Sequence, residues 1–251
     1  MHFGLSFEES DMKKFLLGLA ALAVIAGPAM ADTVRMGTEG AYPPYNFIND
    51  AGEVDGFERE VGDELCKRAA LTCEWVTNEW DSIIPNLVSG NYDRIIAGMS
   101  ITAERDEVID FTSEYFPPSP SAYVALAGAS VDVNNAIIAA QASTIQAGHI
   151  AASGATLVEF ATPDETVAAV RNGEADAVLA DGDFLMPIVN DSNGELAVVG
   201  QVGIGGGIGM GVRESDGALK AKMDKAIASM KADGSLNALI TKWFGDDALT
   251  F

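Results

Sequence analysis

The stretch Gly90-Asn91-Tyr92-Asp93-Arg94-Ile95-Ile96-Ala97 decides the fold, because Gly173-Glu174-Ala175-Asp176-Ala177-Val178-Leu179-Ala180 repeats its plan. Both copies read glycine, two variable residues, aspartate, one more residue, two aliphatic residues and alanine. In each copy a helical pattern stops at the glycine, a residue that commonly ends helices, and a short apolar strand follows. The repeat predicts an α/β protein with two lobes, in which the ends of both strands face one crevice.

The two strands run into residues of opposite charge. The first continues as Ala97-Gly98-Met99-Ser100-Ile101-Thr102-Ala103-Glu104-Arg105, which predicts a helix start with an arginine in its first turns. Free N–H groups at a helix start favour an anion, and a guanidinium group can hold both oxygens of a carboxylate. The second strand continues into Asp181. Arg105 with Ser100 is therefore predicted to bind the carboxylate of an α-amino acid, and Asp181 its ammonium. The alternative is a surface turn with a solvated arginine.

A secretory signal is predicted from a basic start, an apolar stretch and a small-residue cleavage site: Met12-Lys13-Lys14, Phe15 to Gly27 and Ala29-Met30-Ala31. Residues 1–31 are thus a predicted signal peptide, and the exported mature protein would begin near Asp32. Met1 to Asp11 is acidic where a signal requires positive charge, so Met12 is an alternative start. The apolar stretch is too short to span a bilayer.

The charge of the chain restricts its partners. The formal net charge is −22, which argues against binding to nucleic acid or to an anionic membrane surface. Cys66 and Cys73 are the two cysteines, and in an exported chain they predict a disulfide between a helix end and the following strand. Zinc is the weaker alternative, because His2 and His149 are the two histidines that could assist. We expect no metal and no cofactor.

Helices and strands are predicted to alternate along the mature chain. The strands are Thr33 to Thr38 and Thr72 to Val76, and the helices are Val61 to Ala69, Ser82 to Val88, Asp164 to Arg171, Gly182 to Val189, Gly217 to Ala232 and Ser235 to Phe244. A proline-rich segment, Pro117 to Pro120, and a glycine-rich one, Gly203 to Gly211, flank the middle third. This pattern predicts a second lobe, residues 121–210, inserted into a first lobe of residues 32–120 and 211–251, with two crossing segments.

Several motifs resemble, in order, those of the periplasmic polar amino acid-binding proteins of ABC importers, above all the lysine/arginine/ornithine, histidine and opine binders. They are Gly37 to Phe47, Gly56-Phe57-Glu58, Glu64 to Arg68 with Cys73, Trp80 to Pro85, Ser100-Ile101-Thr102 with Arg105, and Asp110-Phe111-Thr112. The resemblance implies a type II periplasmic binding protein fold. It also implies a monomer that captures an amino acid between its lobes and delivers it to the membrane permease of an ABC transporter.

The resemblance assigns roles to single residues. Arg105 would clamp the α-carboxylate of the ligand, Ser100 would add a hydroxyl donor, and Asp181 would receive the α-ammonium. Tyr42 and Trp80 match aromatic positions that enclose the ligand side chain; the alternative is ordinary core packing. A flat aromatic pair favours an extended or planar cationic side chain.

The remaining assigned residues bear on the choice of ligand. Ala97 and Gly98 stand where the histidine and lysine binders carry serines, so side-chain donors are lost there. Glu39 stands where binders of basic amino acids place an acid against the distal cation, which favours arginine, lysine or ornithine, with opines next. The alternative is a solvated acid at a lobe rim. Thr144, within the divergent segment Leu126 to Ile150, would donate to the ligand carboxylate from the second lobe.

Two further function classes compete with a transport protein. Some relatives of this fold are dehydratases that act on cyclohexadienyl substrates, and Glu39 and Asp181 could serve as acid or base. The sequence offers no nucleophile, histidine and acid set, so we expect binding without catalysis. The third alternative is the ligand-binding module of a membrane sensor, for which a membrane-spanning helix would be expected.

Overall fold

The computed structural model describes residues 1–2 and 33–251, and the motifs of the predicted signal peptide lie outside the described residues. The strands are β1 Thr33–Thr38, β2 Ala41–Tyr42, β3 Asn46–Ile48, β4 Val54–Asp55, β5 Thr72–Thr77, β6 Arg94–Ile95, β7 Asp110–Phe111, β8 Ser121–Leu126, β9 Ile137–Gln141, β10 Thr156–Phe160, β11 Ala177–Asp181, β12 Leu196–Val202 and β13 Gly211–Val212. The helices are α1 Phe57–Arg68, α2 Ile83–Val88, α3 Ala103–Asp106, α4 Ile145–Ala151, α5 Pro163–Asn172, α6 Gly182–Asp191, α7 Gly217–Asp233 and α8 Ser235–Phe244.

Two five-stranded sheets share one plan. The first has the order β5-β1-β6-β13-β7 and the second the order β10-β9-β11-β8-β12. In each sheet the first three strands are parallel, and the fourth is antiparallel to both of its neighbours. The predicted two-lobed α/β architecture is therefore confirmed. We call the parts of the chain built on the first and second sheets the first lobe and the second lobe.

The aspartate of the sequence repeat has the same structural role in both lobes. The main-chain N–H of Asp93 donates to the carbonyl of Arg35 in β1 at 2.9 Å, and its carboxylate accepts from the Arg35 N–H at 3.0 Å. Asp176 makes the same pair of bonds with Ile137 in β9, at 2.8 Å each. The glycine of each copy has a left-handed φ, 81° and 76°. Each copy thus ends a helix and locks the next strand beside its neighbour.

Helix α1 begins four residues before the predicted start. The predicted helix opens at Val61, whereas the observed one opens at Phe57. The N–H groups of Phe57 and Glu58 donate to the carbonyls of Pro44 and Tyr45 at 3.0 and 2.8 Å, so donors that a helix start leaves unpaired are satisfied by a distant loop. No local capping side chain signals this start in the sequence.

The predicted disulfide is present between Cys66 in α1 and Cys73 in β5, with their Cα atoms 6.1 Å apart. It ties the end of the helix to the strand that follows it. Within residues 33–251 no helix combines the length and the apolar character needed to cross a membrane.

The connections between the lobes, residues 112–120 and 203–210, run side by side. The N–H of Tyr115 donates to the carbonyl of Ile208 at 2.8 Å, and the N–H of Ile208 donates to the carbonyl of Phe116 at 3.0 Å. Such paired segments are the usual location of a hinge between two lobes.

Candidate ligand-binding site

A cavity lies where the carboxyl ends of strands from both sheets meet. This is the edge at which α/β sheets bind ligands, because side chains of the following loops converge there. The nine ligand-binding residues predicted from the sequence all line it: Glu39, Tyr42, Trp80, Ala97, Gly98, Ser100, Arg105, Thr144 and Asp181. Three residues complete the lining and were not predicted as ligand-binding: Gln141, Ile145 and Gln146.

Arg105 is positioned by the start of α3. Thr102 caps this helix by accepting the N–H of Arg105 at 3.2 Å. The guanidinium group donates to the carbonyl of Ser100 at 3.0 Å and to that of Ser143 in the second lobe at 3.5 Å, and it lies 5.4 Å from the ring centre of Trp80. Burial lowers the pKa of Arg105 to about 10, so the group stays protonated at neutral pH. It presents a fixed positive charge to the cavity.

Asp181 presents the opposite charge from the second lobe. It ends β11, and its carboxylate accepts the hydroxyl of Tyr42 at 2.8 Å and the amide of Gln146 at 2.9 Å. Burial raises the pKa of Asp181 to about 6, while the bond from Tyr42 and the charge of Arg105 oppose that rise. At neutral pH Asp181 is mainly ionised. The cavity therefore has an arginine from one lobe and an aspartate from the other, as the repeat predicted.

Glu39 lies beyond the end of β1 and meets the second lobe. Its carboxylate accepts the amide of Gln141 at 2.6 Å. Burial raises the pKa of Glu39 to about 7, and the negative charges of Asp81 and Glu58 raise it further, against the bond from Gln141. Near neutral pH the group is balanced between its neutral and ionised forms. A cation at this end of the cavity would stabilise the ionised form.

Tyr42 and Trp80 line the cavity and are also held against neighbouring residues, so they combine the two predicted roles, ligand contact and core packing. Tyr42 stacks on Phe184 with ring centres 4.4 Å apart and planes inclined by 16°. Trp80 donates its indole N–H to the carbonyl of Ser143 at 3.2 Å. Gly98 lies next to Tyr42, since a Cβ atom added to this glycine would be 3.4 Å from the ring. The rings are thus held in place before any ligand side chain meets them.

The hydroxyl of Thr144 is committed to the local fold. It accepts the N–H of Ala147 at 3.1 Å as the cap of α4, and it donates to the carbonyl of Gln141 at 2.7 Å. Donation from this hydroxyl to a ligand would therefore require its proton to turn away from Gln141. The N–H groups at the start of α4 are a second set of donors that this segment offers.

A local pattern marks the segment that carries Gln141 and Gln146, although it does not give the partners of their side chains. Gln141 ends an apolar run, Ile137 to Ala140, and Thr144 begins a helix shortly after it. This is a further strand, turn and helix unit of the kind that carries Arg105. Gln146 lies in the first turn of its helix, where it reaches both Asp181 and Ser121, the latter at 3.1 Å.

A cleft between two α/β lobes, with a cation on one wall and an acid on the other, defines a two-lobed binding protein for small zwitterions. Comparison with known proteins identifies the family. The model of the bacterial extracellular solute-binding proteins, family 3, matches residues 34–246, and the chain belongs to this family.

Individual relatives agree with this assignment. The chain is 32% identical to the L-arginine-binding protein of Pseudomonas aeruginosa over 255 residues. The matched region covers 94% of this chain and 98% of that protein. It is 73% identical to a periplasmic His/Glu/Gln/Arg/opine family-binding protein from Silicibacter pomeroyi in complex with lysine, with a TM-score of 0.85 over 87% of this chain and 100% of that one. An ancestral amino acid-binding protein described as a precursor of cyclohexadienyl dehydratase is 26% identical, with a TM-score of 0.74 over 84% of this chain and 95% of that one.

Proposed function

We propose that this protein binds an α-amino acid as a zwitterion, with Arg105 on the α-carboxylate and Asp181 on the α-ammonium. The observation that carries the proposal is the placement of these two charges on opposite lobes around one cavity. The charge of Asp181 raises the pKa of Arg105, and the charge of Arg105 lowers that of Asp181, so each residue favours the charged form of the other. Bidentate guanidinium–carboxylate pairing gives both affinity and orientation, and burial strengthens it.

The side chain of the ligand is cationic in this proposal. Glu39 lines the same cavity, and the negative charges around it make a positive partner favourable. A lysine or arginine bound through its α-groups would extend its distal cation between the rings of Tyr42 and Trp80 towards Glu39. The lysine found in the complex of the 73% identical relative supports this class of ligand.

Binding is coupled to closure of the crevice. Several hydrogen bonds already span the lobes, among them those from Tyr42 to Asp181 at 2.8 Å, from Gln141 to Glu39 at 2.6 Å and from Trp80 to Ser143 at 3.2 Å. A ligand that contacts both walls adds to these bonds only when the lobes are together, so it shifts the equilibrium towards the closed form.

The closed form would be read by the permease of an ABC transporter, to which the protein delivers its ligand as a monomer in the periplasm. The lobes in this proposal are residues 32–120 with 211–251 and residues 121–210. Recovery of the full-length product from the periplasm, followed by N-terminal sequencing, tests the location: we expect a start near Asp32.

A dehydratase is the second candidate, favoured by two half-buried acids with raised pKa values, Glu39 at about 7 and Asp181 at about 6, in one cavity. Calorimetry with lysine, arginine, ornithine, histidine, glutamine and opines, beside a turnover assay on prephenate and arogenate, separates the two. Tight binding of a basic amino acid without turnover supports the binding protein. Turnover of either cyclohexadienyl compound would contradict it.

A further inference from the structure

A carboxylate lies in the core beneath the ligand cavity. Glu58, in the first turn of α1, is completely buried, as are Asn46 and Tyr115. Its two oxygens accept the amide of Asn46 at 2.7 Å, the main-chain N–H of Gly98 at 2.6 Å and the hydroxyl of Tyr115. The amide NH₂ of Asn46 and the N–H of Gly98 can only donate, so each of the two Glu58 oxygens accepts a hydrogen bond. Burial raises the pKa of Glu58, and the three donated bonds oppose the rise.

The network continues to the loop that carries Glu39. The side-chain oxygen of Asn46 accepts the N–H of Gly40 at 2.7 Å. The amide of Asn46 is therefore fixed, with its donor towards Glu58 and its acceptor towards Gly40. Gly40 and Gly98 both have left-handed φ values, 73° and 63°. Each turn is thus bonded at its main chain to the same buried pair of side chains.

We propose that Glu58 is a positioning residue for the ligand site: through Asn46 and Gly98 it fixes the spacing between two loops of the first lobe, the one that bears Glu39 and the one that carries Gly98. The inference rests on the proposed function, since the spacing matters to a ligand that contacts both loops. Glu39 and Gly98 line the same cavity, and neither is attached directly to the other. The charge of Glu58 also acts on Glu39, whose pKa it helps to raise.

The hydrogen-bond pattern predicts what a neutral replacement would do. In Glu58→Gln one side-chain oxygen can still accept from Gly98 and Tyr115, but the new NH₂ group faces the NH₂ group of Asn46. If the amide of Asn46 flips, its NH₂ group instead faces the N–H of Gly40, which is next to Glu39. A single isosteric change therefore displaces one of the two loops, because buried donors left without acceptors are costly.

A second substitution restores the pattern. In Asn46→Asp combined with Glu58→Gln, the aspartate accepts from Gly40 and from the new amide of residue 58, and the amide oxygen accepts from Gly98 and Tyr115. Every donor again has an acceptor, and the core again contains one carboxylate. If the double variant regains ligand affinity, Glu58 acts by positioning the loops and not only by stabilising the fold, because no other change at residue 46 supplies both acceptors.

The experiment measures lysine and arginine affinity by calorimetry for the wild type, E58Q, N46D and N46D/E58Q, with thermal unfolding of each. We expect E58Q to bind about tenfold to a hundredfold more weakly, as for one buried hydrogen-bond conflict, and N46D/E58Q to return to within about threefold of the wild type. Thr166→Val is the matched control: Thr166 is equally buried and donates to Pro163 at 2.6 Å. It should unfold at a lower temperature and bind as the wild type does.

N46D supplies an independent arm should E58Q not fold. Two carboxylates would then face each other, and their repulsion at a pH too high for a shared proton should cost affinity in N46D, which the double variant should regain. Wild-type affinity in the folded single variants, or loss without rescue, overturns the inference. A wild type that binds no amino acid overturns the proposed function and this inference together, whereas equal binding by all variants overturns this inference alone.

Discussion

The pH dependence of lysine binding tests the assigned charges directly, because two of the acids that line the cavity titrate near neutrality. In the ligand-free protein the pKa of Glu39 is about 7 and that of Asp181 is about 6. A bound cation favours the ionised carboxylate and lowers its pKa, so binding releases protons and affinity rises with pH. Lysine keeps both of its ammonium groups charged over this range.

The size of the effect follows from the ionised fractions. Between pH 8 and pH 6 the ionised fraction of a group with a pKa of about 7 falls about tenfold, and that of a group with a pKa of about 6 falls about twofold. The two factors predict an affinity loss of about twentyfold for lysine. In Glu39→Gln the loss should shrink to about twofold. The exposed acid Glu79 lies outside the cavity, so Glu79→Gln is the control that keeps the full twentyfold loss.

The assay is calorimetric titration with lysine at half-unit steps from pH 6 to pH 8, in two buffers of different ionisation heat. The difference between buffers counts the protons released on binding, which should be about 1.4 near pH 6 and fall to about 0.1 at pH 8. An affinity that is constant over this range, or a Glu39→Gln variant that keeps the steep dependence, would refute the placement of a ligand cation at Glu39.

Three further predictions concern single interactions. Arg105→Ala should weaken binding of any amino acid by about 3–5 kcal/mol, because it leaves a buried carboxylate unpaired; undiminished affinity in calorimetry would remove the clamp assignment. Gln146→Leu deletes a donor to the carboxylate of Asp181 at 2.9 Å, so the pKa of that acid should rise and lysine affinity at pH 6 should fall more than at pH 8; equal losses at both would contradict this. Replacing Cys66 and Cys73 by serine should lower the free energy of unfolding by about 2–3 kcal/mol, read from urea titrations, and leave lysine affinity unchanged; unchanged stability would mean that the disulfide contributes little.

Most of the fold could be predicted from local sequence patterns. The helix over Ser235–Phe244 has the predicted bounds, and α5, predicted over Asp164 to Arg171, spans Pro163–Asn172. Both have local signals, a glycine before or after the helix and, in α5, a capping box at Thr162. The start of α1 at Phe57 was missed because its acceptors are carbonyls of a loop distant in sequence, which no local pattern encodes.

The same distinction between local patterns and contacts distant in sequence explains which residues of the site could be predicted. Arg105 and Asp181 follow recognisable strand ends, so the sequence predicts that they meet. Gln141 and Gln146 act on the charge of Glu39 and Asp181 through contacts 102 and 35 residues apart in sequence, and the amide side chains themselves carry no charge to mark them. The burial of Glu58 could not be predicted from its motif, because it depends on Asn46, Gly98 and Tyr115 all arriving from other elements.

The position of β13 restricts how the chain can fold during synthesis. Gly211 pairs with Ile95 on one side and with Phe111 on the other, so one of the last strands to be made lies inside the first sheet. A nascent chain shorter than about residue 212 has a gap in that sheet, with the edges of β6 and β7 unpaired. The first lobe therefore cannot complete its sheet until every strand of the second lobe, all of which precede β13, has been synthesised.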